Sequence, residues 1–120
     1  MVKKVLIVED DKDFQDIYSL YLQGESFEVQ KAYNGSEGLA ILDKEIPDLI
    51  ILDLIMPVMD GEEFYVHLRE REPCRSIPVI IASVNEKMPQ RIEELGGVAG
   101  ILRKPFEIDK LLQAVRTHLK

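Results

Sequence analysis

Short apolar segments and helix-forming segments alternate five times along this 120-residue chain, and this alternation restricts the fold more than any other feature. Three of the apolar segments, VLIV, LIIL and VIIA, contain no polar residue, which is typical of strands covered on both faces of a sheet. The five predicted strands lie at Val5–Val8, residues 27–32, Leu49–Leu52, Val79–Ala82 and Gly100–Arg103.

The intervening segments carry apolar residues three and four positions apart, the spacing that places them on one face of a helix. The first of them has its apolar stripe at Phe14, Ile17, Tyr18, Tyr21 and Leu22. Asp11 is predicted to cap this helix and Asp60–Gly61 to start the third, because aspartate accepts hydrogen bonds from the first backbone N–H groups of a helix. The predicted helices occupy residues 14–24, 35–42, 64–71, 89–95 and 108–119.

Five strand–helix units in strict alternation predict an α/β fold with one doubly wound parallel sheet and helices on both faces, a (βα)5 three-layer sandwich. Right-handed crossovers leave few topologies, of which the flavodoxin-like strand order 2-1-3-4-5 is the common five-stranded one. In that order the winding reverses between strands 1 and 3, and ligands bind at the carboxyl ends of those two strands. The length suits a single domain over residues 1–120.

Polar side chains stand at these predicted strand ends. Glu9 and Asp10 follow strand 1, Asp53 follows strand 3 within IILDLIMPVMDG, and the next two strands end in Ser83 and Lys104. Burying a lone carboxylate is costly, so Asp53 needs a partner. We therefore predict a shared acidic crevice in which Asp53 faces the other acids.

Carboxylates that lie close together repel one another and stay ionised only with a cation among them. Mg²⁺ commonly binds one or two carboxylates and accepts phosphate oxygens, while Lys104 adds a positive charge and Ser83 a hydroxyl donor. Phosphoryl transfer needs mainly positioning and charge neutralisation, and a carboxylate can accept the phosphoryl group. The residues thus indicate an aspartyl phosphate site at Asp53.

The motifs VLIVEDD, DLIILDLIMPVMDG, IPVIIAS and KPF, taken together, resemble the receiver domain of two-component response regulators along the whole chain. The resemblance implies that Asp53 is the phosphoacceptor and that Asp10 and Asp53 bind Mg²⁺ directly. It also implies that Glu9 binds the ion through a water and that the backbone carbonyl of Ile55 completes the ligands. Lys104 is the catalytic lysine of this pattern, and its bond to Pro105 is expected to be cis.

Ser83 and Ile101 occupy the two switch positions of the family. Ile101 replaces a residue that is often aromatic, and Val84 follows Ser83 where a small residue is usual. Ile55 and Asn85 occupy positions that tune dephosphorylation, and an apolar residue at position 55 cannot orient an attacking water. The sequence therefore predicts a slowly hydrolysed phosphoform.

The resemblance implies a phosphorylation-controlled signalling domain rather than an enzyme acting on other substrates, although it catalyses its own phosphorylation and dephosphorylation. A sensor histidine kinase or phosphotransfer protein would supply the phosphoryl group. The surface of helix 4, strand 5 and helix 5 would then bind a downstream target or output domain, or form a phosphorylation-dependent homodimer. We expect no output domain within these residues and a cytoplasmic location. A net charge of −7 disfavours direct nucleic-acid binding, and no apolar run is long enough to span a membrane.

One alternative stays open: a receiver-like protein-interaction scaffold that works without phosphorylation. Val84 and Ile101, which depart from the family pattern, are compatible with it. Two other classes fit less well. An aspartate-based phosphatase needs a second acid two residues after the nucleophile, where this chain has Ile55. A flavin-binding protein of the same fold needs a phosphate-binding loop after strand 1, where EDDKD would repel phosphate.

Overall fold

The computed structural model describes residues 2–84 and 87–119. Its strands form one parallel sheet in the order β2-β1-β3-β4-β5, as the sequence predicts. The strands are β1 (Lys4–Val8), β2 (Glu28–Ala32), β3 (Leu49–Leu52), β4 (Val79–Ser83) and β5 (Val98–Arg103). The doubly wound α/β fold is thereby confirmed.

Helices cover both faces of the sheet and build two apolar layers. The helices are α1 (Lys12–Gly24), α2 (Gly35–Leu42), α3 (Gly61–Glu70), α4 (Gln90–Leu95) and α5 (Ile108–Leu119), with a single 3₁₀ turn at Glu72–Cys74. Successive side chains of a strand point to opposite faces, so β1 contributes to both layers. Leu6 and Val8 pack in the layer with α2, α3 and α4, whereas Val5 and Ile7 pack in the layer with α1 and α5.

Side-chain caps start the first three helices. The side chain of Asp11 accepts hydrogen bonds from the backbone N–H groups of Asp13 and Phe14 at 2.8 and 3.1 Å. Asn34 and Asp60 cap α2 and α3 in the same way. These bonds fix the direction in which each helix leaves the carboxyl end of the sheet, where the polar residues lie.

The buried face of α1 differs from the predicted stripe. Ile17 and Tyr21, two members of that apolar stripe, are each 46% exposed and therefore lie outside the buried face. The helix buries Gln15 and Ser19 beside Tyr18 and Leu22. The buried face is rotated toward polar positions because Gln15 bonds to backbone carbonyls at the strand ends.

A further difference concerns β5. The strand begins at Val98, two residues before the predicted start, because Val98 pairs with Val79 across a register shift. Cys74, in the 3₁₀ turn, is buried, and burial raises the pKa of its thiol. Within residues 2–84 and 87–119, none of the helices has the length and apolar character needed to cross a bilayer.

Candidate functional site

An acidic cleft of about 390 Å³ opens at the carboxyl ends of β1 and β3. Parallel pairing sets Val8 beside Leu52, so the residues that follow these two are neighbours as well. The backbone N–H of Asp53 donates to the carbonyl of Val8 at 2.9 Å, which continues the ladder into the site. The acidic cleft is lined by Glu9, Asp10, Asp11, Phe14, Asp53, Ile55, Val84, Lys104 and Pro105.

Three carboxylates of the cleft form a candidate metal site. One oxygen from each of Glu9, Asp10 and Asp53 lies within 4.8 Å of the others. Glu9 and Asp53 are buried, at 2% and 6% exposure, while Asp10 is open to solvent. A set of hard oxygen donors with an open side suits Mg²⁺, which keeps several waters, and does not suit thiophilic metals. The residues present therefore fit a magnesium ion.

Lys104 places its ammonium against two of these carboxylates. Its Nζ lies 2.6 Å from Oε1 of Glu9 and 3.3 Å from Oδ2 of Asp53, and its side chain is only 8% exposed. The peptide bond between Lys104 and Pro105 is cis, as the family resemblance implies. The cleft therefore holds a buried positive charge beside the candidate phosphoacceptor.

The fold perturbs the ionisation of the Glu9 carboxyl group. Burial raises the pKa of Glu9 to about 7, the negative charge of Asp53 adds to the rise, and hydrogen bonds from Lys104 and from the backbone N–H of Asp11 oppose it. A carboxyl group with this pKa exchanges its proton near neutral pH. A divalent cation in the cleft would favour the ionised form.

The remaining predicted residues divide between two clefts. Ile55 borders the acidic cleft, and its backbone N–H donates to Oδ1 of Asp53 at 3.3 Å. Ser83 is buried at the end of β4, where its carbonyl accepts a hydrogen bond from the backbone N–H of Lys104 at 3.0 Å. Ser83 and Ile101 both line a neighbouring cleft of about 300 Å³. Val84, 58% exposed, stands at the rim of the acidic cleft.

Asn85, the second position expected to tune dephosphorylation, lies outside the described residues. The structure thus brings Glu9, Asp10, Asp53 and Lys104 into one cleft. It places Ser83 and Ile101, the two predicted switch positions, in the neighbouring cleft.

Gly61 supports the site in a way that the sequence analysis missed. A Cβ atom at this position would lie 2.3 Å from the carbonyl oxygen of Asp53 and 2.6 Å from the Cα of Leu54. The backbone N–H of Gly61 also donates to the carbonyl of Leu54 at 2.9 Å. The interpretation of Asp60–Gly61 as a turn and helix start was correct but incomplete, because α3 starts directly against the backbone of Asp53.

Gln15 is the second supporting residue that was missed. Its Nε2 donates to the carbonyls of Ile7, Glu9 and Ala32 at 2.9, 3.2 and 2.8 Å. The side chain therefore ties α1 to the ends of β1 and β2 and bonds to the backbone of Glu9 itself. Its three- and four-residue spacing from Tyr18 and Ser19 was the signal that could have revealed a buried polar side chain.

The sequence of residues 5–116 matches the family model described as the response regulator receiver domain. Among curated proteins, the DNA-binding dual master transcriptional regulator RpaA of Synechocystis sp. is 33% identical over 118 residues, which are 98% of this chain and 49% of that protein. The chain spans between about a quarter and a half of the length of the curated relatives it matches.

Two solved structures of response regulators are similar to this chain over their full length. The chemotaxis response regulator CheY4 of Vibrio cholerae has a TM-score of 0.90 and 32% identity, covering 99% of this chain and 100% of that one. The response regulator TrrA of Thermotoga maritima, solved in complex with Mg(2+)-BeF, has a TM-score of 0.85 and 25% identity, covering 98% and 100% of the two chains.

Proposed function

This chain belongs to the response regulator receiver domain family, and from that membership we propose that its acidic cleft catalyses Mg²⁺-dependent phosphoryl transfer onto Asp53. The donor is the phosphohistidine of a sensor histidine kinase or phosphotransfer protein. The observation that carries the proposal is the convergence of Glu9, Asp10, Asp53 and Lys104 in one cleft although they come from three separate strand ends.

Asp10 and Asp53 would hold the magnesium ion, with Glu9 bound through a water and the carbonyl of Ile55 as a further ligand. The ion supplies positive charge to the oxygens of the transferring phosphoryl group. An oxygen of Asp53 bonds to phosphorus as the P–N bond of the phosphohistidine breaks. The electron pair of that bond stays on the imidazole nitrogen.

Lys104 and Ser83 would then contact the new phosphate. The ammonium of Lys104 is already 3.3 Å from Asp53, so a small shift away from Glu9 suffices to reach a phosphoryl oxygen. Ser83 shares its cleft with Ile101, so a movement of Ser83 toward the phosphate changes the packing around Ile101. This coupling would shift the population of the α4–β5–α5 surface between two conformations.

The α4–β5–α5 surface is the site at which we place the output. Its occupant is a downstream target protein, an output domain, or a second phosphorylated copy. Ile101 is 52% exposed on it, which leaves an apolar side chain for such a partner. We place the exchange in the cytoplasm, where histidine kinases have access to ATP.

The lifetime of the phosphoform follows from Ile55. Its side chain is 52% exposed at the cleft and has no polar atom with which to orient an attacking water. We expect the aspartyl phosphate to persist well beyond seconds in Mg²⁺ buffer. Decay within seconds would contradict this expectation without affecting the identity of the acceptor.

The test is intact-mass analysis after incubation with Mg²⁺ and a small acyl phosphate. The wild-type chain should gain one phosphoryl group and the Asp53→Asn variant none, while a chelator should prevent the gain. Asp109→Asn, the same change on an exposed acid of α5, is the matched control and should react like wild type. If wild type gained no mass, the proposal would be refuted and the scaffold alternative favoured. If Asp53→Asn gained as much mass as wild type, Asp53 would not be the acceptor.

A further inference from the structure

The ammonium of Lys104 has a third, uncharged contact besides its two carboxylate partners. Its Nζ lies 4.3 Å from the centroid of the Phe14 ring and over the face of that ring. An aromatic face attracts a cation through its quadrupole, and more strongly where both are removed from water. The side chain of Lys104 is 8% exposed, so this contact is largely desolvated.

Packing fixes the orientation of the Phe14 ring. Phe14 stacks on Tyr18 with 5.7 Å between ring centroids, and Tyr18 stacks on Phe106 at 5.9 Å, each pair with 19° between planes. Tyr18 is 3% exposed and therefore anchors this aromatic row in the core. Since Phe106 closely follows Lys104 in the chain, the row ties α1 to the segment that carries the lysine.

Phe14 also borders two cavities. It lines the acidic cleft, and it lines a second, mainly apolar pocket of about 220 Å³. Lys104 and Pro105 are the other residues shared by both linings. A smaller side chain at position 14 would join the two cavities and give the ammonium an alternative position away from Asp53.

We propose that Phe14 is a positioning residue that holds the ammonium of Lys104 in the acidic cleft, ready to neutralise the oxygens of the incoming phosphoryl group. This inference rests on the proposed function, because it concerns the same transfer to Asp53. Groups that are placed before the reaction need no reorganisation when charge develops, and this is the usual source of electrostatic catalysis. Phe14 touches neither phosphorus nor metal and acts through the lysine.

The experiment compares Phe14→Leu with wild type in phosphorylation by a small acyl phosphate at saturating Mg²⁺. A lost cation–π contact should lower the rate constant about 2- to 30-fold. The dissociation constant of Mg²⁺, measured by calorimetry, should stay within about twofold of wild type, because the side chain of Phe14 meets the cleft through its ring and has no polar atom that could bind the ion. Phe14→Tyr keeps the aromatic face and should react at the wild-type rate.

A ring-fluorinated phenylalanine at position 14 separates cation–π attraction from packing. Fluorine withdraws electron density from the ring face while nearly preserving its shape, so the rate should fall with increasing fluorination. Tyr21→Leu is the matched control, because it removes an aromatic ring from the same helix at a half-exposed position and should leave the rate unchanged. A rate independent of fluorination, or a Phe14→Leu variant as fast as wild type, would overturn the proposal.

A second measurement does not depend on phosphorylation. The methylene protons of Lys104 next to Nζ should show an upfield ring-current shift in the NMR spectrum of wild type that disappears in Phe14→Leu. If wild type accepted no phosphoryl group, the proposed function would fail, and this shift alone would decide the placement of Lys104. A shift that persisted in Phe14→Leu would show that the ring does not position the ammonium.

Discussion

At the scale of single residues, the proposed phosphoacceptor, Asp53, depends on a neighbour that has no side chain. Gly61 starts α3 so close to the backbone of Asp53 that a Cβ atom would lie 2.3 Å from its carbonyl oxygen. The partner is backbone and cannot rotate away, so a larger residue has to displace the chain at the site itself. Glycine is required at this position because α3 approaches the backbone of Asp53 so closely, and not because of the conformational freedom of glycine.

We expect Gly61→Ala to destabilise the protein by about 1–3 kcal/mol, as overpacking does, in denaturant titrations. Phosphorylation by an acyl phosphate should slow by at least about tenfold, because Asp53 is displaced from its position. Gly24→Ala is the matched control: nothing lies within 4 Å of its added Cβ, and alanine favours the helix end. Equal stability of the two variants would contradict the packing argument.

We expect Glu9 to make the affinity of the acidic cleft for Mg²⁺ depend on pH. Burial raises its pKa to about 7, so the metal-free carboxyl group is mostly protonated below that pH, and the proton must leave before the carboxylate can assist the ion. The affinity should therefore fall about tenfold between about pH 8 and about pH 6, measured by calorimetry.

The control for this pH dependence is Glu9→Gln, which carries no ionisable proton. Its affinity at high pH should be lower than that of wild type, and its profile should be flat across the same interval. A wild-type profile that is already flat would show that Glu9 is fully ionised near neutral pH. The position of the acids in the cleft would be unaffected by that result.

The convergence of the charged side chains in the acidic cleft could be predicted from the sequence, whereas the residues that support the cleft could not. Glu9, Asp53 and Lys104 follow strand ends, and parallel strands bring their carboxyl ends to one edge. Gly61 and Phe14 matter through contacts with other elements: Gly61 with the backbone of Asp53, and Phe14 with the side chain of Lys104. Such contacts depend on how a helix is rotated and how closely it approaches, which the spacing of apolar residues does not determine.

At the scale of elements, the apolar pattern was sufficient for the strands but less so for the helices. A strand that is buried on both faces is apolar along its whole length, so the apolar run alone marks where it begins and ends. Strand β3 was therefore predicted with its observed bounds. For α1 the choice of side mattered, and the apolar stripe did not reveal that the polar Gln15 and Ser19 are buried. The hydrogen bonds of Gln15 to the strand ends outweighed the cost of leaving Ile17 and Tyr21 exposed. A prediction based on hydrophobicity alone does not consider such bonds.

The loop from β3 to α3 contains a strained turn. Val58 has a φ of 70° and is 82% exposed, and the backbone N–H of Met59 donates to the carbonyl of Pro57 at 2.8 Å around it. Left-handed backbone is costly for a β-branched residue, and no buried contact of the exposed side chain offsets the cost. Glycine adopts this conformation without a steric penalty.

Val58→Gly should therefore stabilise the protein by about 0.5–1 kcal/mol in denaturant titrations, after allowing for the greater entropy of glycine in the unfolded chain. Val84→Gly makes the same change in another exposed loop residue, but without positive φ, and should give no gain. A loss of stability in Val58→Gly would mean that the valine side chain makes a contribution that exceeds the strain of its backbone.

At the scale of the whole molecule, the end of α4 is tied to α3. The hydroxyl of Tyr65 donates to the carbonyl of Gly96 at 2.6 Å, and Arg69 donates to Tyr65 and to the carbonyl of Gly97, both at 3.0 Å. Gly96 and Gly97 have φ values of 68° and 83°, which form the turn into β5. This clamp, consisting of Tyr65 and Arg69, fixes the far end of α4, whereas the start of α4 has no side-chain cap.

Phosphorylation should therefore change the α4–β5–α5 surface unevenly. Ser83, Ile101 and Met88 line one cleft near the start of α4, so a shift of Ser83 reaches that end first. In hydrogen exchange we expect altered protection at residues 87–92 and 101–103, little change at the Gly96–Gly97 turn, and none at residues 42–46 across the molecule. The last segment serves as the internal control.

Tyr65→Phe tests whether the clamp sets this distribution. The substitution keeps the buried ring but removes the hydroxyl that bonds to Gly96, so the carbonyl is left without that donor. Upon phosphorylation the altered protection should then extend through the turn into the first residues of β5. If the pattern of the variant matched that of wild type, the clamp would not confine the change, and the rigidity of the turn would come from its own backbone and its packing on α3.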